Sequence, residues 1–200
     1  MTSATILIVP GLRDHADDHW QTWLATRLET ARLVPPMGRE DLDLSARVGA
    51  VERAARACAW PVIVVAHSAG VITVAHWAQT TRCHVIGALL AVPPDLERPM
   101  PKGYPTVQGL RQGGWLPVPD EPLPFRSIVA ASSNDPLATY YRVSRLADAW
   151  GSQLVDLGEV GHLNPAAGYG EWPPALAFIE ELAAAGNCDV TFRRPDPQSA

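Results

Sequence analysis

Val62-Ile-Val-Val-Ala-His-Ser-Ala-Gly70 is the stretch from which the rest of the chain can be read. Its first five residues are apolar and mostly β-branched, with no polar alternation, which predicts a strand covered on both faces. From Ala69 to about Gln79 the residues are apolar around the whole circumference of a helix, which predicts a buried one. Ser68 stands on the sharp turn between them. A serine there needs small residues two positions before and after it, and Ala66 and Gly70 supply them. The run is a G-x-S-x-G nucleophile elbow with alanine in the first glycine slot. The plainer alternative makes Ser68 a helix N-cap, a role that serine fills well.

Outward from this stretch, short apolar runs alternate with helical patterns. Thr5–Val9, Ala31–Pro35, Val62–Ala66, Val85–Val92, Ser127–Ser132 and Gln153–Leu157 read as strands. Asp17–Leu33 reads as an amphipathic helix on the spacing of Trp20, Trp23, Leu24 and Leu28, and it competes with the strand at Ala31. Leu44–Ala57, Thr139–Ala149 and Pro174–Ala185 read as further helices, the first capped by Asp43 or Ser45. This alternation specifies an α/β fold: a parallel sheet of about six strands with right-handed crossovers and helices on both faces. A single domain over residues 1–186 is expected, followed by a polar tail, Asn187–Ala200, without assigned structure.

Composition narrows the function. The chain has 200 residues, a net charge of −5 and a 47% hydrophobic fraction. That fraction excludes a largely disordered chain, and the acidic balance supplies no electrostatic footprint for nucleic acid. No apolar run reaches the roughly 18 residues of a membrane helix, and the first ten residues lack the basic start of a secretory signal. Three separated cysteines (Cys58, Cys83, Cys188) form neither a disulfide framework nor a CxxC metal knuckle. A soluble cytoplasmic protein is expected. Nine of the 19 prolines lie between Pro93 and Pro124, where they forbid a long helix or a central strand and predict a long loop excursion.

Reactive groups in such sheets collect beyond the carboxyl ends of the strands. Asp135, in Ser132-Ser-Asn-Asp-Pro136, follows the fifth strand; an Asp-Pro turn is its plainer explanation. His162 follows the sixth strand in a glycine-flanked loop. Ser68, Asp135 and His162 thus occur in the order and at the strand ends of an α/β-hydrolase. A seryl hydroxyl needs an imidazole to take its proton, and a carboxylate to orient that imidazole. Asp95, after the fourth strand, is the rival acid. The backbone N–H groups of Leu12 and Ala69 are the candidate oxyanion donors. Arg13, His19, His67 and Trp115 are candidate pocket residues. His15 and His19, four apart among aspartates, could share a metal on a helix; no further ligand is evident, so no metal is assigned.

Several runs resemble a known family. Ile6-Leu-Ile-Val-Pro-Gly-Leu12, His19-Trp-Gln21, Val65-Ala-His-Ser-Ala-Gly70 and Ala75-His-Trp-Ala78 are similar to the retinoblastoma-binding-protein-nine-like serine hydrolases. So are Gly87-Ala-Leu-Leu-Ala91, Pro93-Pro-Asp95, Ser132-Ser-Asn-Asp-Pro136, Trp150-Gly-Ser152, Gly161-His-Leu-Asn164 and Trp172-Pro173. The resemblance spans Thr5 to Leu182. It implies a compact α/β-hydrolase domain without a large cap, with Ser68, Asp135 and His162 as the catalytic set. The first loop is more charged here than in that family, at Arg13 and Asp14. No cysteine has leucine two residues before it, so the Leu-x-Cys-x-Glu route to pocket-protein binding does not carry over. The expected function is hydrolysis of a small ester, thioester or amide through an acyl-enzyme, with no cofactor. The expected partner is an acyl or peptide substrate, in a shallow pocket bounded by the Arg13–His19 loop and the proline-rich excursion. A non-catalytic interaction module on the same scaffold is the alternative.

Overall fold

The computed structural model describes residues 2–38 and 40–193. Six parallel strands form the main sheet in the order β3-β2-β4-β5-β6-β7: β2 (Thr5–Val9), β3 (Ala31–Leu33), β4 (Val62–His67), β5 (Val85–Ala91), β6 (Ser127–Ala131) and β7 (Gln153–Asp156). The helices are α1 (Trp20–Arg27), α2 (Leu44–Arg56), α3 (Ala69–Ala78), α4 (Val107–Gln112), α5 (Tyr140–Trp150) and α6 (Pro174–Ala185). The strands read as unbroken apolar runs because both of their faces are covered. Leu7, Val9, Val62, Val64 and Ala66 point toward α2, α3 and α5. Ile6, Ile8, Ile63 and Val65 point the other way, toward α1 and α6. Successive side chains leave opposite faces of a strand, so each strand feeds two cores. This is the α/β-hydrolase architecture.

Three sequence expectations change. The helix expected over Asp17–Leu33 runs only from Trp20 to Arg27. His19 caps its start, and Leu28 leaves helical geometry to bridge Phe192, which frees Ala31–Leu33 to pair with β2. Part of the expected tail is ordered. Cys188–Asp189 (β8) pairs in parallel with Thr2–Ser3 (β1), and Arg193 N–H donates to Arg27 O. Residues 194–200 of that tail lie outside the described residues. The proline-rich excursion is a packed structure, holding α4 and burying Leu96, Leu110, Trp115, Val118 and Leu123 against the α2–α3 face.

Asp43 is the N-cap of α2, accepting from the N–H groups of Ser45 and Ala46. Every residue of α3 except His76 is buried, so this helix lies in the middle of the protein with its N-terminus at the end of β4. The sheet order reverses between β2 and β4, which opens a crevice beyond their carboxyl ends.

Candidate active site

The turn from β4 into α3 is sharp and strained. Ser68 has φ +55° and ψ −130°, a left-handed conformation that costs a non-glycine residue about 1–3 kcal/mol. The surroundings hold it there. Ser68 N–H donates to Ala91 O at the end of β5, and all six residues of β4 are buried. A Cβ at Gly70 would come within 2.8 Å of Val9 O and closer still to Pro10 O, so only glycine lets α3 approach the end of β2. A Cβ at Gly11 would stand 3.2 Å from Ser68 Cβ, so the glycine of the first loop leaves room above the hydroxyl. Ser68 makes no side-chain cap to α3, which removes the plainer reading of this serine.

The imidazole of His162 lies between Ser68 and Asp135. His162 Nε2 is 2.8 Å from Ser68 Oγ, and His162 Nδ1 is 2.8 Å from Asp135 Oδ2. A carboxylate only accepts, so Nδ1 carries the proton toward Asp135 and Nε2 offers its lone pair to the seryl O–H. The Asp135 side chain is 1% exposed, and its other oxygen accepts from Leu137 N–H at 2.8 Å. Asp95 is turned away, with both carboxylate oxygens 3.6 Å from guanidinium groups, those of Arg98 and Arg142. The three side chains singled out from sequence therefore meet, and the rival acid does not join them.

Ala69 is the first residue of α3, so its N–H belongs to the helix-terminal donors without an intrahelical partner. Leu12 follows Gly11, which packs directly on Ser68, and its N–H finds no acceptor among the described residues. A cleft of about 340 Å³ opens over Ser68. Arg13, His19 and His67 line it as expected, joined by Tyr104 from the excursion and by Asn164, Pro165 and Ala166. A second hollow of about 260 Å³ lies beside it, sharing Arg13 and Tyr104 and reaching Leu12. Arg13 is 5.8 Å from the Tyr104 ring centroid, so a cation–π contact separates the two.

Trp115 does not line the cleft. It is fully buried, its indole N–H donates to Leu42 O at 2.8 Å, and the Arg47 guanidinium lies 5.9 Å from its ring. A tryptophan on a loop buries its large ring wherever its N–H can find a partner, and here Leu42 O provides one. The metal pairing of His15 and His19 also dissolves. α1 starts at Trp20, so the two are not on a common helix; His15 Nε2 is bonded to Val34 O and His19 Nδ1 to Gln21 N–H. No group of three or more potential metal ligands occurs among the described residues.

Two supporting amides escaped the sequence reading. Asn134 Oδ1 accepts from Gly161 N–H at 2.6 Å and from Ser132 Oγ–H at 3.0 Å, which ties the loop of Asp135 to the loop of His162. Gln21 is buried, and its Nε2 donates to Val9 O and Val65 O, which fixes the ends of β2 and β4 beneath the first loop. Their adjacency to Asp135 and His19 in the quoted motifs was the only available signal.

Burial keeps the neighbouring imidazoles neutral. Desolvation, with the His162 charge acting in the same direction, lowers the pKa of His19 from 6.5 to about 4, against an opposing pull from Asp18. Burial, then His162 and His19, push His67 well below the ordinary range, although its bond to His162 O works the other way. His76, on α3, is half-buried and bonded to Trp115 O at 3.3 Å.

Residues 6–181 match the model of a family described as serine hydrolase. The chain belongs to the serine hydrolase family. This serine hydrolase is also similar to a YdeN-like hydrolase from Pectobacterium atrosepticum, with 32% identity, 90% of each chain covered and a TM-score of 0.77. The ydeN gene product of Bacillus subtilis shares 18% identity, over 91% of this chain and 100% of that one, with a TM-score of 0.69. A hydrolase of the alpha/beta superfamily from Xanthomonas campestris shares 19%, over 92% and 99%, with a TM-score of 0.59. The last two speak for the fold alone. A search of curated proteins found no significant match. The protein is a hydrolase, and among its described residues no helix is long and apolar enough to cross a membrane.

Proposed function

We propose that the protein cleaves small carboxylic esters, thioesters or amides through an acyl-enzyme on Ser68. The unbroken Ser68–His162–Asp135 hydrogen-bond chain, with both contacts at 2.8 Å, carries this reading. His162 Nε2 takes the Ser68 proton as Oγ attacks the carbonyl carbon. Asp135 orients the ring and stabilises the imidazolium that forms. The N–H groups of Leu12 and Ala69 hold the tetrahedral oxyanion. His162 then gives the proton to the leaving atom, and a water molecule activated by the same imidazole releases the acid. The residues of this chain supply every acid, base and donor that the cycle requires, so we assign no cofactor.

The modest size of the cleft supports short acyl groups or small peptides as substrates. Three free thiols support a cytoplasmic setting. The motifs in the first loop, the elbow and the loops of Asp135 and His162 support a place beside the retinoblastoma-binding-protein-nine-like members of the family. A panel of short-chain p-nitrophenyl esters and aminoacyl amides tests the reading. Wild type should turn over at least one member, and Ser68→Ala should lose about a million-fold in kcat while keeping its thermal midpoint. A folded Ser68→Ala protein with wild-type turnover would remove the serine from its role.

A further inference from the structure

The wall of the cleft nearest His162 is made of two imidazoles whose protons are fixed by hydrogen bonds. His19 Nδ1 accepts from Gln21 N–H at 3.1 Å as the N-cap of α1, so in the neutral ring the proton sits on Nε2. That atom has no hydrogen-bond partner among the described residues, and the ring lines the cleft together with Ser68 and His162. His67 Nε2 lies 3.0 Å from His162 O, a carbonyl that can only accept, so His67 also carries its proton on Nε2. The His19 and His67 rings stand 4.6 Å apart at 64°, and those of His67 and His162 stand 5.0 Å apart. The three rings form a continuous series of edge-on and tilted contacts, with His67 between His19 and His162.

Which half of a substrate meets this wall follows from the chemistry. When the tetrahedral intermediate collapses, the bond from the carbonyl carbon to the leaving oxygen breaks, and the proton on His162 Nε2 passes to that oxygen. The leaving group must therefore depart on the His162 side. The acyl group must then leave the carbonyl carbon in another direction, and the hollow beside the cleft at the Arg13–Tyr104 pair, which His162 does not line, is open to it.

We propose that His19 and His67 form the leaving-group subsite, and that it takes an uncharged polar leaving group held by a hydrogen bond from His19 Nε2–H to an acceptor such as an amide carbonyl. This rests on the Ser68 acyl-enzyme reading. Other charges face the same space. Asp14 has its carboxylate taken up by the N–H groups of Met37 and Gly38, while Arg13, against the Tyr104 ring, and Asp18 stand on the rim with opposite charges. The neutral state of both rings agrees with the proposal, because a charged imidazole here would destabilise the imidazolium that His162 must form.

The test compares three butyrate esters that differ only in the alcohol: N-acetylethanolamine, its hydrocarbon isostere isohexanol, and choline. Their kcat/KM values are measured on the wild type and on His19→Asn, in which asparagine keeps the helix cap and removes the ring donor. The ratio of the amide-bearing ester to the isohexyl ester should fall about tenfold in the variant, the worth of one hydrogen bond. In the wild type the choline ester should be a poorer substrate than the amide-bearing one. An unchanged ratio, or a wild-type preference for choline, would overturn the subsite. A wild type that hydrolyses none of the three while its Ser68 reacts with a fluorophosphonate would also overturn it. Failure of Ser68 to react would instead overturn the acyl-enzyme reading beneath it.

Discussion

The floor of the cleft and its rim are held by different forces. The floor is made of strand ends: Val9, Ala66, His67 and Ala91 are buried, Gly70 touches the backbone of β2, and Gln21 ties β2 to β4. Nothing there can move without disturbing both cores. The rim consists of Arg13, Asp18, Tyr104 and Ala166, from the connections between the main strands and helices, and Arg13 and Tyr104 are joined there by a cation–π contact. The contrast assigns reaction chemistry to the part fixed by the sheet and selectivity to the part fixed by loops. Asp135 and His162 lie between these extremes, on loops whose positions depend on a few hydrogen bonds.

Breaking the Ser68–His162–Asp135 hydrogen-bond chain, which joins the floor to those loops, should cost most. Asp135→Asn keeps the shape of the side chain but favours the wrong tautomer of His162, and kcat should fall by about ten-thousand-fold with the fold intact by circular dichroism. A loss below tenfold would mean that another group orients the imidazole. Next comes Trp115, which separates burial from function. Trp115→Ala should destabilise by about 3–5 kcal/mol in urea titration, with KM for short esters unchanged in the protein that remains folded. A rise in KM without loss of stability would return this residue to the pocket.

A smaller effect tests the join between the two loops. Asn134→Ala removes the acceptor for Gly161 N–H, and kcat should fall about tenfold with KM nearly constant, while Asn134→Asp should recover part of the rate. A change confined to KM would argue for substrate contact instead of positioning. The smallest effect is in stability against pH. His19 and His67 are held neutral in the fold, so the unfolded chain takes up protons first as the pH falls. Their contribution is complete above about pH 6.5 and declines as the pH falls toward 4 for His19, continuing lower for His67. The urea midpoint should therefore decrease between neutral and mildly acidic pH, less steeply in His19→Asn; equal slopes would contradict the burial of this ring.

The same contrast explains what was legible in the sequence. The floor was written in patterns that survive translation into structure: a five-residue apolar strand, small residues flanking Ser68, and reactive side chains each just past a strand. Hydrophobic periodicity also located the six main strands. It failed where a long-range contact outweighed it. The spacing of Trp20, Trp23, Leu24 and Leu28 continues a helix toward Leu33, yet Leu28 pairs with Phe192 from the far end of the chain, a contact that no window of local sequence contains. Trp115 was misread because a proline-rich composition says that the chain turns, not which of its side chains turn inward. Asn134 and Gln21 act through side-chain amides bonded to backbone groups, and such bonds have no periodicity to detect.

Intact-mass analysis after exposure to a fluorophosphonate probe measures the reactivity of Ser68 directly. The wild type should gain one adduct per chain, mapped to Ser68, with Ser68→Ala unmodified and His162→Ala modified far more slowly. A folded wild type that stays unmodified, or that carries its adduct on another residue, would contradict a hydroxyl activated by its neighbouring imidazole.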